Sequence, residues 1–374
     1  MFLIARFSTK HRVLKIYKKN KNYEKYRSRI TNRQYWRMGR KERTGAKMKT
    51  KVLEILEQNR QESVSGSKIA SKLQITRSAV WKTIEALRRE GYQIEAVTNR
   101  GYRLCSDTGH VSAAGIFSAL HTEVFGRQLH VEPCVDSTNA VAKQAAQQGA
   151  GHGDVVAARE QTGGRGRRNR TFFSPKDVGL YMSVVLRPEC SAEQGIHLTT
   201  WAAVVVARAV ELLTGLPVEI KWINDLYVQG KKICGILTEA SMDLELHQLE
   251  YAVVGIGINV STLPDQFPEE LQGKAASLKM LLGEESPPSL NRLAAAILDE
   301  MERSWPDCFS NSVMEEYRRR SFLIGKEIAW WNKDHWQRVL VEDIKPDGSL
   351  AVITPRGMQR LYSGDIRLPW LEDG

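Results

Sequence analysis

Four short stretches of this chain carry residue types and spacing that could do chemistry, and two of them could handle an anion. In Gln161-Thr162-Gly163-Gly164-Arg165-Gly166-Arg167-Arg168-Asn169-Arg170, four arginines sit among three glycines. Glycine lets backbone amides approach an anion closely, and arginine donates paired hydrogen bonds to phosphate or carboxylate. The tract is not a Walker A loop, since no Gly-Lys-Ser/Thr follows at the right spacing. Nor is it a dinucleotide fingerprint, since Asn169 occupies the last glycine position. Alone, it fits a solvated loop or an RNA-binding arginine tract as well as a phosphate site.

The second stretch is Lys221-Trp222-Ile223-Asn224-Asp225, at the end of a strand-like run from Val218. Strand alternation puts Lys221 on the face opposite Ile220 and Trp222, where it is either an edge gatekeeper or a cation for a carboxylate or phosphate. Asp136-Ser137-Thr138-Asn139 leads from strand to helix and could be no more than a helix cap. In Gly255-Ile256-Gly257-Ile258-Asn259, two glycines thin a strand so that a ligand or another backbone can lie against it.

The elements that must position these residues follow from periodicity. Strands are expected at residues 129–135, 154–158, 179–186, 218–222, 233–239 and 251–260, with helices near 140–148 and 196–213. Strands outnumber the helices between them and several connections are hairpin-length, so a mixed α+β sheet fits better than a doubly wound one. Helices follow near 290–304 and 313–320. Beyond Ile324 come short strands at 327–331, 336–344, 349–353 and 359–362, which read as a small barrel of roughly 50 residues.

Composition bounds the class. The 374 residues suggest two or three domains, and no apolar run approaches the ~18 residues of a membrane span. The formal charge of +11 is unevenly spread. Residues 1–47 carry +14, residues 48–110 carry +4, and residues 111–374 carry −7. Most of the chain is therefore acidic, which excludes a general nucleic-acid-binding protein. Five widely spaced cysteines without a Cys-x-x-Cys pair disfavour a disulfide framework and a zinc site, and no metal centre is expected. With no signal-peptide core, the reading is a cytoplasmic protein without membrane association.

Residues 1–47 show no sustained period and read as a disordered basic extension or a misassigned start, with Met48 as the initiator. From Thr50 to Leu104 come three helices and a strand pair. The first runs near 50–59, Ser65 or Ser67 caps the second, and Thr76 or Ser78 caps the third, which Gly91 ends. Two strands then flank Thr98-Asn99-Arg100. This is the winged helix-turn-helix order, whose third helix enters the major groove. Thr76, Arg77, Ser78 and Lys82 on that helix, with Asn99 and Arg100 in the wing, are the candidate DNA contacts. A small helical protein-interaction domain is the competing reading.

Taken together and in this order, the four stretches resemble the bacterial biotin protein ligase family, in the bifunctional form that also represses the biotin operon. The resemblance covers about residues 50–370. It implies an α+β chain with an N-terminal winged helix-turn-helix at 48–110, a mixed-sheet catalytic domain of the biotin/lipoate ligase type at 111–322, and a C-terminal SH3-like β-barrel at 323–374. The implied reaction joins biotin and Mg-ATP to give biotinyl-5′-adenylate and pyrophosphate, then transfers biotin to a lysine of an acceptor protein. By this similarity Ser137, Thr138, Asn139 and Gln161 bind biotin, and Arg165, Gly166 and Arg167 close over the adenylate. Lys221 contacts the reacting carboxylate and α-phosphate, and Arg167 and Lys221 are the catalytic cations. Gly164, Asn224, Gly255, Gly257 and Asn259 complete the site. The implied partners are the biotin carboxyl carrier protein of acetyl-CoA carboxylase, other biotin-dependent carboxylases, operator DNA, and a second copy of the chain once adenylate is bound.

Asn169 stands where the family usually has Gly, and Ile223 where it usually has Pro. Neither removes a charged contact; the first is expected to slow closure of the loop and the second to shift the turn after Lys221. Lipoate ligases share the scaffold and adenylation chemistry, but the Gly-Arg tract with Lys-Trp-x-Asn-Asp points to biotin. A repressor that only senses biotin would be expected to lack Lys221 or Arg167, and both are present.

Overall fold

The computed structural model describes residues 40–369, apart from 60, 61, 107, 108, 192, 244, 246 and 333. Its first helix, α1 (Arg40–Glu57), begins eight residues before Met48. The basic extension therefore does not run to residue 47 without regular structure. Arg, Lys, Glu and Ala dominate 40–47, and such residues elongate a helix readily once its apolar turns are anchored. Those turns are anchored by Val52, Leu53, Ile55 and Leu56, all buried. The remainder of the extension, and with it most of the expectation for residues 1–47, lies outside the described residues.

Helices α2 (Gly66–Leu73) and α3 (Arg77–Arg89) complete a three-helix unit, capped at Ser65 and Thr76. Gly91 then takes φ +96°, the left-handed turn that ends α3. Strands β1 (Gln93–Val97) and β2 (Gly101–Ser106) pair antiparallel across a turn in which Asn99 also has positive φ. The unit has its own core, including Ile69, Val80, Ile84, Leu87, Tyr92 and Leu104. It meets the rest of the chain at α4 (Ala113–Ala119), where the hydroxyls of Tyr92 and Ser112 lie 2.6 Å apart.

The central sheet holds seven strands: β3 (Leu129–Glu132), β4 (Val155–Ala158), β5 (Gly179–Leu186), β6 (Glu219–Lys221), β7 (Asp225–Val228), β8 (Lys231–Asp243) and β9 (Gln248–Asn259). Their order is β3-β4-β5-β9-β8-β7-β6. Only β3 and β4 run parallel, so the sheet is mixed. Alternation along β5 and β9 divides the faces. Leu180, Met182, Val184, Val254, Ile256 and Ile258 face a large core with α6 (Gly195–Thr214), α8 (Leu290–Ser304) and α9 (Asn311–Arg320). Val185, Tyr251 and Val253 face α5 (Thr138–Gln147), whose Ala142, Ala145 and Ala146 pack on them. Helix α6 is long and apolar enough to cross a membrane, but eleven of its residues are buried in the protein, which identifies it as the core helix. A short helix, α7 (Leu278–Leu282), follows β9.

The C-terminal strands β10 (Glu327–Trp331), β11 (Trp336–Ile344), β12 (Leu350–Thr354), β13 (Gly357–Leu361) and β14 (Ile366–Arg367) form an antiparallel sheet in the order β13-β12-β11-β10-β14. Among the described residues no pairing joins its end strands. Its apolar side, with Ile328, Val339, Val341 and Val352, is continuous with the central core, and Trp222 Nε1 donates to the Gly348 carbonyl at 2.9 Å.

Candidate active site and DNA-facing surface

The face of the sheet that carries α5 is where the predicted residues gather. Register places Gly255 between Ser183 and Leu237, and Gly257 between Tyr181 and Gly235. Small residues in the two central strands make a floor on which side chains from outside the sheet can lie. Asn139 rests on Gly255, where an added Cβ would fall 2.0 Å from its Oδ1. The Phe172 ring rests on Gly257, where a Cβ would fall 2.5 Å from the ring. The two glycines therefore thin the strand for an amide and an aromatic ring, and not for a backbone as one sequence reading allowed. Phe172 closes the Gly-Arg tract and was not singled out by sequence, because an isolated Phe after an arginine run carries no local signal.

Ser137, Thr138 and Asn139 are all buried at the start of α5. Ser137 holds the N-cap position without a side-chain capping bond. The role is taken by Gln161, whose Oε1 accepts from Thr138 N at 2.8 Å and from Thr138 Oγ1 at 3.1 Å, while its Nε2 donates to Ser174 Oγ at 2.9 Å. Ser183 Oγ lies 2.8 Å from Thr138 Oγ1 and donates to Asn139 Oδ1 at 2.7 Å. Asn139 Nδ2 donates to the Leu237 carbonyl at 3.1 Å and to Glu239 Oε2 at 2.9 Å. Glu239 also pairs with Lys143 at 2.8 Å. Burial raises the Glu239 carboxyl pKa, but the bonds from Lys143 and Asn139 outweigh it and the pKa is lowered overall. The result is a polar pocket beside apolar strands, its side chains bonded chiefly to one another.

The Gly-Arg tract arches from this pocket toward β6. Gly164 is buried, and a Cβ there would fall 2.4 Å from the Phe172 carbonyl oxygen, so only glycine lets the two segments approach. Arg165 extends toward Asp136 at 3.4 Å, and Gly163 N donates to the Asp136 carbonyl at 2.9 Å. Residues Arg167–Asn169 form one tight turn after Gly166, with Arg168 in a left-handed conformation. Arg167 Nη1 reaches Asn224 Oδ1 at 3.5 Å, 57 positions along the chain. Its pKa is lowered, first by burial and then by the neighbouring Arg168 charge, and no carboxylate forms an ion pair with it among the described residues. Asp225, Tyr317 and Asp365 pull the other way from farther off, and a half-buried guanidinium with no ion pair of its own suits an anion.

Lys221 ends β6, the edge strand of the sheet, and its Nζ donates to the Ile366 carbonyl at 3.0 Å. The Trp222–Ile223 peptide is cis, and Asn224 ties the turn down through its Nδ2 to the Ile236 carbonyl at 2.7 Å. Asn259 ends β9, two residues beyond Gly257, and its Nδ2 donates to the Ala276 carbonyl at 3.3 Å. A surface cavity of about 420 Å³ lies at Pro264, Asp265, Phe267, Gln272, Gly273, Ala275 and Met280, which sequence did not reveal because its walls come from an irregular segment.

On the helix-turn-helix unit, Arg77, Ser78 and Lys82 are exposed on one side of α3 and Asn99 and Arg100 on the wing. Thr76, exposed beside them, caps the helix as one of the two expected residues: its hydroxyl accepts from Ala79 N at 3.2 Å and lies 2.9 Å from Ser78 Oγ. Trp81, unmarked by sequence, is 54% exposed on the same side.

Residues 131–259 match the biotin/lipoate A/B protein ligase family, and residues 49–103 match an HTH domain family. The chain is 36% identical over 324 residues to a bifunctional ligase/repressor BirA of Bacillus spizizenii, covering 85% of this chain and 97% of that one. A protein of the same name from Escherichia coli is 33% identical over 197 residues, covering 53% and 59%. A solved biotin protein ligase from Aquifex aeolicus, in complex with biotin and ATP, superposes with a TM-score of 0.54 at 25% identity, covering 64% of this chain and 98% of that one.

Proposed function

The chain belongs to the biotin protein ligase family in its bifunctional ligase/repressor form, and on that premise we propose how its residues divide the work. It activates biotin with ATP, joins biotin to protein, and represses through its helix-turn-helix domain. We divide it into a basic extension at 1–47, a DNA-binding domain at 48–110, a catalytic domain at 111–322 and a C-terminal domain at 323–374.

In the first step the biotin carboxylate oxygen attacks the α-phosphorus of ATP. An O–P bond forms as the bond to pyrophosphate breaks, leaving biotinyl-5′-adenylate. In the second, the amine of an acceptor lysine attacks the acyl carbon, an amide forms, and AMP leaves with the bonding pair. The first step brings two anions together, so the site must supply fixed cations where charge develops. The observation that carries the assignment is the meeting of Arg167 with Asn224, three residues beyond Lys221, which gathers both cations at one turn.

The pocket of Ser137, Thr138, Asn139 and Gln161, over Gly255, takes the biotin ring. Arg165, Gly166 and Arg167 cover the acyl phosphate, and Gly164 and Gly257 give the loop and Phe172 their seat. Asn259, at the end of β9, is assigned to the adenylate with them. Magnesium comes as part of the Mg-ATP substrate. A mixed anhydride hydrolyses readily, so a covering loop preserves it until an acceptor arrives.

The expected acceptors are the carrier domains of acetyl-CoA carboxylase and of other biotin-dependent carboxylases, in the cytoplasm. The adenylate-bound form dimerises and binds operator DNA through α3 and the wing. ATP–pyrophosphate exchange run separately with biotin, lipoate and octanoate tests the ligase reading: exchange with biotin alone supports it, and exchange with lipoate or octanoate instead refutes it. A gel shift on the promoter of the host's biotin genes should strengthen when biotin and ATP are added; a shift indifferent to them removes the corepressor role.

A further inference from the structure

The four arginines of the tract do not share one task. Arg165 reaches the exposed Asp136, and the half-buried Arg167 reaches Asn224. Arg168 and Arg170 instead converge on one carboxylate of the C-terminal domain. Arg168 Nη1 lies 2.7 Å from Asp365 Oδ2, and Arg170 Nη2 lies 2.9 Å from Asp365 Oδ1. Each carboxylate oxygen thus takes one guanidinium, across 197 and 195 positions.

Asp365 is a fixed point. Its carbonyl accepts from Trp331 N at 3.0 Å, and Gly364 before it lies against Trp330, where a Cβ would fall 2.9 Å from the indole nitrogen. Ile366, the next residue, pairs with β10 and supplies the carbonyl that Lys221 Nζ meets. Two adjacent residues at the edge of the C-terminal sheet therefore touch both cationic elements of the active site.

The loop itself shows that it is held. Arg168 has φ +55° and ψ +44°, a left-handed conformation that is unfavourable for a non-glycine residue and persists only where its surroundings over-determine it. The Arg165–Thr171 bridge and the bond from Gly166 N to the Arg170 carbonyl at 2.7 Å fold the tract into a narrow hairpin around that residue. Within this hairpin, turning Arg168 and Arg170 outward turns Arg167 inward.

We infer that Asp365 is a positioning residue for adenylation, pinning Arg168 and Arg170 so that Arg165 and Arg167 are held over the acyl phosphate. It touches no reacting atom. It acts through the loop, and it gives the C-terminal domain a direct part in retaining the intermediate. The inference rests on the assignment of Arg165 and Arg167 to the adenylate.

The test uses the full-length protein loaded with biotin and Mg-ATP, followed by a chase that reads the release of labelled biotinyl-5′-adenylate. Paired exposed ion pairs of this kind shift a loop equilibrium by roughly five- to tenfold. Asp365→Asn should therefore release adenylate about five to ten times faster, with biotin affinity and melting temperature unchanged, and Asp365→Glu should restore much of the retention. Arg168→Gln with Arg170→Gln, which leaves the C-terminal sheet intact, should reproduce the effect, and the triple variant should add nothing further. That second route stays decisive if Asp365→Asn folds poorly. Unchanged release in the Asp365→Asn and double arginine variants overturns the inference, as does a lower KM for ATP, which would mean that Asp365 competes with phosphate for the arginines. Arg167→Gln, loaded directly with labelled biotinyl-5′-adenylate, is run alongside: if it too retains adenylate normally, the assignment of the loop fails as well, whereas fast release there with normal release in the Asp365 and Arg168/Arg170 variants sinks the positioning role alone.

Discussion

The Asn139 side chain lies directly over Gly255, with its Oδ1 2.0 Å from where a Cβ on that glycine would fall. The same amide joins Ser183, the Leu237 carbonyl and Glu239, so it cannot retreat without breaking several buried hydrogen bonds. Gly255→Ala should therefore cost roughly 1–3 kcal/mol of stability through overpacking, and should displace the amide from the biotin pocket. Calorimetric titration with biotin should show at least tenfold weaker binding in the folded variant. Binding at wild-type strength would mean that Asn139 is scaffold only.

Arg167 presents the opposite balance between folding and function. Its lowered pKa reports, first, burial and, second, repulsion from Arg168, so the free protein disfavours this charge. The native and unfolded pKa values both lie far above neutrality, so the effect is constant across the working pH range. Arg167→Gln should melt at the wild-type temperature or slightly above it. Pyrophosphate exchange should nonetheless fall by about 10²–10³-fold, the usual loss when a fixed donor to developing charge is removed. Lys221→Ala should lose a similar factor while shedding one hydrogen bond, to Ile366, worth about 1 kcal/mol. Normal exchange in either variant would refute the catalytic assignment.

Strong periodicity made much of this fold readable. The strand Gly179–Leu186, the helix Leu290–Ser304 and the strands Glu327–Trp331 and Trp336–Ile344 fall on the expected residues, because each alternates or repeats without interruption. Strand β7 was hidden because Asp225–Val228 follows β6 after a turn of three residues, and a four-residue strand is too short to show a period. Helix α4 was missed because seven residues containing a glycine resemble a loop. At the site, residue types and spacing exposed the Gly-Arg tract, Lys221 and Asn139, since charged or small residues inside an acidic, apolar domain stand out. Phe172 and Asp365 were invisible because each acts through a contact distant in sequence. Gln161 could have been recognised as a partner of the helix start only from the bridge between Val135 and itself, which no local pattern encodes.

Glu316 offers a test of what ties the core helices together. Its carboxylate meets Arg208 and Arg320, which also reach Glu300 at 2.8 Å and Glu211 at 2.6 Å, linking α6, α8 and α9. Burial raises the Glu316 pKa, but hydrogen bonds from Arg208 and Arg320 outweigh it and hold the pKa below 4.5. A depressed carboxylate contributes stability that is complete above its unfolded pKa and is lost as pH falls through the lower native value. Glu316→Gln should cost roughly 2–4 kcal/mol at pH 7, since it leaves two guanidinium groups short of a partner. Its stability should also fall less steeply than wild type below about pH 4.5. Denaturant melts at pH 7 and across the acid range read both; identical slopes would show that Glu316 is not the group lost in acid.

Trp81 is the last exposed feature with a chemical consequence. It is half-exposed on α3, on the side carrying Arg77, Ser78 and Lys82, while Val80, Thr83, Ile84 and Leu87 bury the other side. Cations on that side suit phosphates, and a large apolar ring among them suits the one apolar group in the major groove, the C5 methyl of thymine. Trp81→Ala should therefore weaken operator binding by roughly tenfold while leaving pyrophosphate exchange and melting temperature unchanged. A second duplex, with uracil replacing thymine throughout the site, separates a base contact from general packing. Wild type should bind it more weakly than the thymine duplex, and Trp81→Ala should bind the two alike. Equal sensitivity to the methyl groups in both proteins would place Trp81 off the base edges.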